Sequence, residues 1–95
     1  MSLRENLLNF SGALADATSA PDGYDFPDLI NFESNMKDLE ELWAEIAPRL
    51  VRDRDKIEFI SEKLTELKVE FLAGNKERGV RAVMDIYNLD VRKLC

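Results

Sequence analysis

From Leu29 to Phe71 the apolar residues fall alternately three and four positions apart: Leu29, Phe32, Met36, Leu39, Trp43, Ile46, Leu50, Ile57, Ile60, Leu64, Leu67 and Phe71. Asp53 is the one polar intruder in that register. The spacing holds the apolar side chains on a single stripe of a helix, and it is the period at which helices pack side by side at a shallow angle. Alternation of period two, the mark of a half-buried strand, is not found. The chain is therefore expected to be all-α, with these twelve residues as its core or interface seam.

Two arrangements fit the stretch. Pro48 lacks an amide proton and its ring presses on the carbonyl of Ala44, and Arg52 to Lys56 is a run of five charged residues in which Asp55 and Glu58 have capping-box spacing. These features predict a break, and so an antiparallel hairpin of helices at about 28–51 and 56–73. The alternative is one Pro-kinked helix, about 67 Å long, that needs a second chain to cover its seam. Before the seam, Ser2 and Glu5 form a capping-box pair ahead of Leu3, Leu7, Leu8 and Leu14, which predicts a helix over 3–17. Residues 18–27, with Pro21, Gly23 and Pro27, read as a loop. Gly74 supplies a stop, Asn75 a cap, and Val80, Val83, Met84 and Tyr87 repeat at helical spacing, so a last helix is expected over 76–88. The expected fold is a single 95-residue domain, a three- to four-helix bundle built around the heptad-patterned hairpin.

The residue inventory excludes much chemistry. The chain has no His, the commonest general base and transition-metal ligand. Its one Cys, Cys95, is read as a reduced thiol on a frayed tail. No segment resembles an export signal and no apolar run approaches the ~20 residues of a membrane span, so a cytoplasmic protein is expected. The net charge of −6 argues against direct binding to nucleic acid. It is unevenly distributed: residues 1–48 carry ten acids against Arg4 and Lys37, a net of −8, and the remainder nets +2. An acidic half of this kind suits a basic protein surface.

Each candidate site has a plainer structural explanation. Glu58, Glu62, Glu66 and Glu70 line one side of a helix, but Lys63 and Lys68 accompany them, and a carboxylate metal site needs ligands converging from several elements. Nucleotide pyrophosphohydrolases that are all-helical hold magnesium through Glu-x-x-Glu and Glu-x-x-Asp spacings, neither of which occurs, Asp38 with Glu41 being the nearest approach. Asp22, Asp25 and Asp28 miss the ligand pattern of a calcium loop. Tyr24, Asp25, Phe26 and Asp28 form a candidate partner strip, since aromatic residues beside acids and Pro27 suit a partner's groove. Arg49, Arg52, Arg54 and Lys56, then Lys76, Arg78 and Arg81, are basic clusters interrupted by acids, which points to local ion pairing.

The sequence thus predicts a non-catalytic protein–protein interaction module, an adaptor, small regulator or assembly chaperone, homodimeric through its seam and drawn to a basic partner. No cofactor or metal is expected. The competing classes are a carboxylate enzyme with a divalent metal and an acidic, phosphate-mimicking regulator of a nucleic-acid-binding protein.

Overall fold

Four α-helices and no strand make up the described residues of the computed structural model, which are 2–20, 22–24 and 31–95. Helix α1 spans Leu3–Ala17, α2 Phe32–Ile46, α3 Ile57–Leu72 and α4 Lys76–Tyr87. Short 3-10 turns at Ala47–Arg49 and Arg54–Lys56 separate α2 from α3, and a third, Val91–Lys93, follows α4. The chain is therefore not one long helix between 28 and 73. Pro48 sits in the first 3-10 turn, where its missing amide breaks no α-helical ladder.

Local chemistry sets the helix ends. The Ser2 hydroxyl accepts from the Glu5 amide at 3.1 Å, half of the expected capping box. Helix α2, expected from about residue 28, begins at Phe32 after a reciprocal box that the sequence reading did not identify: the Ser34 amide donates to Asn31 Oδ1 at 2.9 Å, and the Asn31 amide to Ser34 Oγ at 3.1 Å. Asp55, the expected cap of α3, lies instead within the 3-10 turn out of which α3 grows, and Asn75, the expected cap of α4, makes no capping bond with its side chain. Gly74 does end α3: at φ +82° it lets its own amide reach the Phe71 carbonyl and that of Asn75 reach Glu70, the paired bonds that satisfy a helix's last carbonyls.

Packing is antiparallel from helix to helix. Phe10 of α1 stacks on Trp43 near the end of α2, with ring centroids 5.6 Å apart, while Ala13 meets Asn35 near its start. Helices α3 and α4 approach most closely where Gly79 faces the Phe71 ring, and a Lys63–Asp85 ion pair of 3.1 Å joins them further along. Between α2 and α3 the contacts run through long side chains: Trp43 Nε1 donates to Ser61 Oγ at 2.9 Å, Phe32 meets Phe71 edge-on, and Lys68 reaches Glu40 at 2.9 Å.

Of the seam, Met36, Leu39, Trp43, Ile46, Leu50, Ile60, Leu67 and Phe71 are buried within the one chain, and Phe32, Ile57 and Leu64 are half-buried. Leu29 lies outside the described residues. The inner face of α4 is turned from its expected position: Gly79, Ala82, Val83 and Ile86 are inside, whereas Met84 and Tyr87 are exposed. Small residues decide this, because Gly79 and Ala82 let the α4 backbone come close to α3, and the larger Met84 and Tyr87 are displaced to the rim.

Nor is the end of the chain frayed. Val91 and Leu94 are core residues, and residues 91–93 pack on α1. The Asp53 amide donates to the Cys95 carbonyl at 2.8 Å, and the Cys95 amide donates to Asp53 Oδ2 at 2.9 Å. Lys56 Nζ binds the other carboxylate oxygen at 2.7 Å. This explains the polar residue in the apolar register: Asp53, 7% exposed, is a clasp between the α2–α3 connection and the chain end. The Lys56 hydrogen bond, then that from Cys95, holds its carboxyl below the usual carboxylate range. The Cys95 thiol itself is exposed.

A second polar link ties Tyr24 to the bundle. Tyr24 Oη donates to Asn35 Oδ1 at 2.8 Å, and Asn35 Nδ2 donates to the Ala13 carbonyl at 3.0 Å. Burial, with the negative charge of Asp16 second, pushes the Tyr24 phenol up to about 12 from its ordinary 10.0. The unfolded chain loses this proton first, so stability is expected to fall as pH rises from 10.0 towards about 12 and then to level off. Melting curves of wild type and Tyr24→Phe across that range check this. The variant should lose stability at neutral pH yet show a shallower alkaline decline, and the Lys56 and Lys63 amines, common to both proteins, cancel in the comparison.

Candidate functional site

On its outer side α2 presents Asp38, Glu41, Leu42 and Glu45, positions related by helical repeats of three and four and turned away from Leu39, Trp43 and Ile46 in the core. Across from them α1 contributes Leu8, Asn9, Gly12, Ala13 and Asp16. Together they enclose a surface groove of about 560 Å³ between the two helices. Its lining combines the acidic residues Asp16, Asp38, Glu41 and Glu45 with Asn9 and with the apolar or small residues Leu8, Gly12, Ala13 and Leu42.

Two features keep this groove open and negative. A Cβ added at Gly12, one of the lining residues, would have no heavy atom within 4 Å, so the mid-helix glycine faces open space rather than making room for a neighbour inside the fold. The cation paired here, Lys37, lies 3.9 Å from Glu41 with both side chains well exposed, an ion pair that solvent and salt screen. A separate, smaller recess of about 260 Å³ is lined by Glu45 together with Asn6, Pro48 and Arg49.

The other charged regions are partly paired locally and partly exposed. Between α3 and α4, Lys63 binds Glu66 at 3.0 Å and Asp85 at 3.1 Å, and these bonds raise its amine above the usual lysine range. Glu58 and Glu62 stand exposed, Glu66 is held by Lys63 and Glu70 is half-buried, so the four-glutamate stripe does not converge. Among the described residues no group of three or more Asp, Glu or Cys side chains is placed to hold a metal ion. In the first basic cluster Arg52 donates to the Lys93 carbonyl at 3.1 Å and Lys56 binds Asp53, while Arg54 is exposed. Lys76, Arg78 and Arg81 are exposed on α4.

Of the candidate partner strip, Tyr24 is half-buried against Asn35, and Asp25, Phe26 and Asp28 lie outside the described residues. Sequence reasoning counted Asp16, Asp38, Glu41 and Glu45 in the acidic half without joining them into one place. The usable signal was present: an unexplained glycine at position 12 of an amphipathic helix, and acids at 38, 41 and 45 opposite the heptad seam. No described helix is long and apolar enough to cross a membrane. No known protein family, characterised protein or solved structure matches this chain.

Proposed function

We propose that the protein is a cytoplasmic, non-catalytic interaction module, an adaptor, small regulator or assembly chaperone, whose α1–α2 groove receives a basic amphipathic segment of a protein partner. The observation that carries this is the groove's composition: four acidic residues lining it together with Leu8, Ala13 and Leu42, and open space at Gly12. A segment with leucine-like side chains on one face and lysine or arginine beside them would bury the first and pair the second. In the same reading the heptad-patterned pair α2 and α3 is the scaffold rather than the docking surface. A homodimer would form through the outer side of α3, where Val69 is 56% and Leu72 68% exposed.

The test uses a labelled amphipathic peptide of about four helical turns with leucines in a heptad stripe and arginines beside them. Binding to the wild type is expected to weaken steeply between about 0.05 and 0.5 M salt, as the Debye length shortens. The double reversal Glu41→Lys with Glu45→Lys should lower affinity about tenfold or more. Gly12→Leu should leave the fold intact and block the peptide. Affinity indifferent to salt, to the reversal and to Gly12→Leu would exclude the groove.

A further inference from the structure

We infer that the basic segment received by the groove is the outer face of α4 from a second copy of this chain. The inference rests on the groove reading and deepens it by naming the occupant.

The fold leaves α4 with an unpartnered amphipathic face. Gly79, Ala82, Val83 and Ile86 fix its inner side in the core, and the helix packs on α3 and α1. Met84 and Tyr87 are thereby left 36% and 38% exposed, and with the half-buried Val80 they make a stripe at helical spacings of four and three. Cations flank the stripe. Lys76 lies one turn before Val80 and Arg81 three residues before Met84, and both are exposed, with no ion pair among the described residues. Of the acids on α4, Asp85 is held by Lys63 at 3.1 Å, so Glu77 alone opposes them.

Charge selects this face over the other exposed apolar one. On α3, Val69 lies three residues after Glu66 and seven after Glu62, so its side of the helix carries carboxylates that Asp16, Asp38, Glu41 and Glu45 of the groove would repel. The α4 face offers the groove cations instead. Met84 and Tyr87 would cover Leu8, itself 48% exposed, and Leu42, while Lys76 and Arg81 meet the groove's acids. Lengths match as well: Asp38 to Glu45 and Val80 to Tyr87 each span about 10 Å of helix. Because α4 is anchored in its own core, a protomer cannot fill its own groove with it. The contact is therefore head to tail, each copy giving α4 to one neighbour and its groove to another, in a ring or an open chain.

The experiment is sedimentation velocity over a concentration series, in reducing buffer because the Cys95 thiol is exposed. At about 0.05 M salt the average mass of wild type should exceed 10.9 kDa and rise with concentration, and at about 0.5 M salt it should return to 10.9 kDa. Added basic amphipathic peptide should lower it by competing for the groove. Gly12→Leu, which blocks the groove, and Lys76→Glu with Met84→Glu, which spoils the α4 face, should each weaken self-association at least about tenfold. Mixed in equal amounts, the two variants should stop at twice 10.9 kDa, since each pair retains one sound groove and one sound α4 face. Leu8→Glu, at an exposed lining position, replaces Gly12→Leu if the latter melts lower than wild type. Leu72→Glu on α3 should change nothing. Association abolished by Leu72→Glu would put the contact on α3 and overturn the inference. Association that persists in the α4 variant, or a mixture that stays monomeric, would overturn it too. So would a wild type that remains at 10.9 kDa throughout: if the basic peptide still binds, the groove stands with another protein as its occupant, and if the peptide also fails, the groove falls with the inference.

Discussion

Trp43→Ala is expected to destabilise the bundle by about 3–5 kcal/mol, enough to leave much of a domain this small unfolded near body temperature. Three losses combine at this position. The indole is buried and stacks on Phe10 with ring planes 25° apart, so its removal opens a cavity between α1 and α2. Its N–H donates to Ser61 Oγ, one of the long side-chain links between α2 and α3, so that bond is lost too. The two ends of the indole thus join three helices. Urea unfolding followed by circular dichroism measures the effect, since the variant lacks the chain's one tryptophan as a fluorescence reporter. Trp43→Phe separates the contributions, because it keeps most of the packing and should cost about 1 kcal/mol for the hydrogen bond plus a smaller cavity. A Trp43→Ala protein as stable as wild type would mean that α1, α2 and α3 are not joined as described.

The second large effect is a contrast of sign between two glycines in helices. Gly→Ala within a helix is ordinarily stabilising by about 1 kcal/mol, and at Gly12 nothing in the fold opposes that gain. At Gly79 a Cβ would fall 2.5 Å from two atoms of the Phe71 ring, which is itself buried and braced edge-on by Phe32. The ring cannot retreat without displacing its neighbours, so overpacking of about 1–3 kcal/mol outweighs the helical gain and Gly79→Ala should be net destabilising. Parallel melts of the two variants against wild type check both signs. Equal stabilisation of both would show that α3 and α4 stand further apart than the Gly79–Phe71 contact requires.

That contrast also shows how far the sequence could be read. The helices of the bundle were legible because helical burial repeats on a short, local period, and so were the ends marked by Ser2 and Gly74, where a side chain or a positive φ acts within a few residues. What escaped was whatever depends on the partner across the interface. Gly79 reads as a weak helix residue until α3 is placed against it, and Met84 and Tyr87 read as core until that close approach turns them outward. Asp53 looked like an error in the stripe because its partner, Cys95, lies 42 positions away. The groove belongs to the same class. Its acids could be counted from the sequence, but only the antiparallel pairing of α1 with α2 sets Asp16 across from Asp38, Glu41 and Glu45.

The Asp53–Cys95 clasp also bears on the order in which the bundle comes together. Helices α1 and α2, and likewise α3 and α4, can meet as soon as a short intervening stretch closes, at modest entropic cost. The clasp must instead close over the whole α3–α4 pair, and residues 91–93 must find α1 across nearly the full length of the chain. Such distant contacts form after the neighbouring helices have already restricted the search. The two hairpins are therefore expected to form first and residues 91–94 to close last, as a fastener that brings Val91 and Leu94 into the core, an order that transition-state analysis of substitutions at these positions would check.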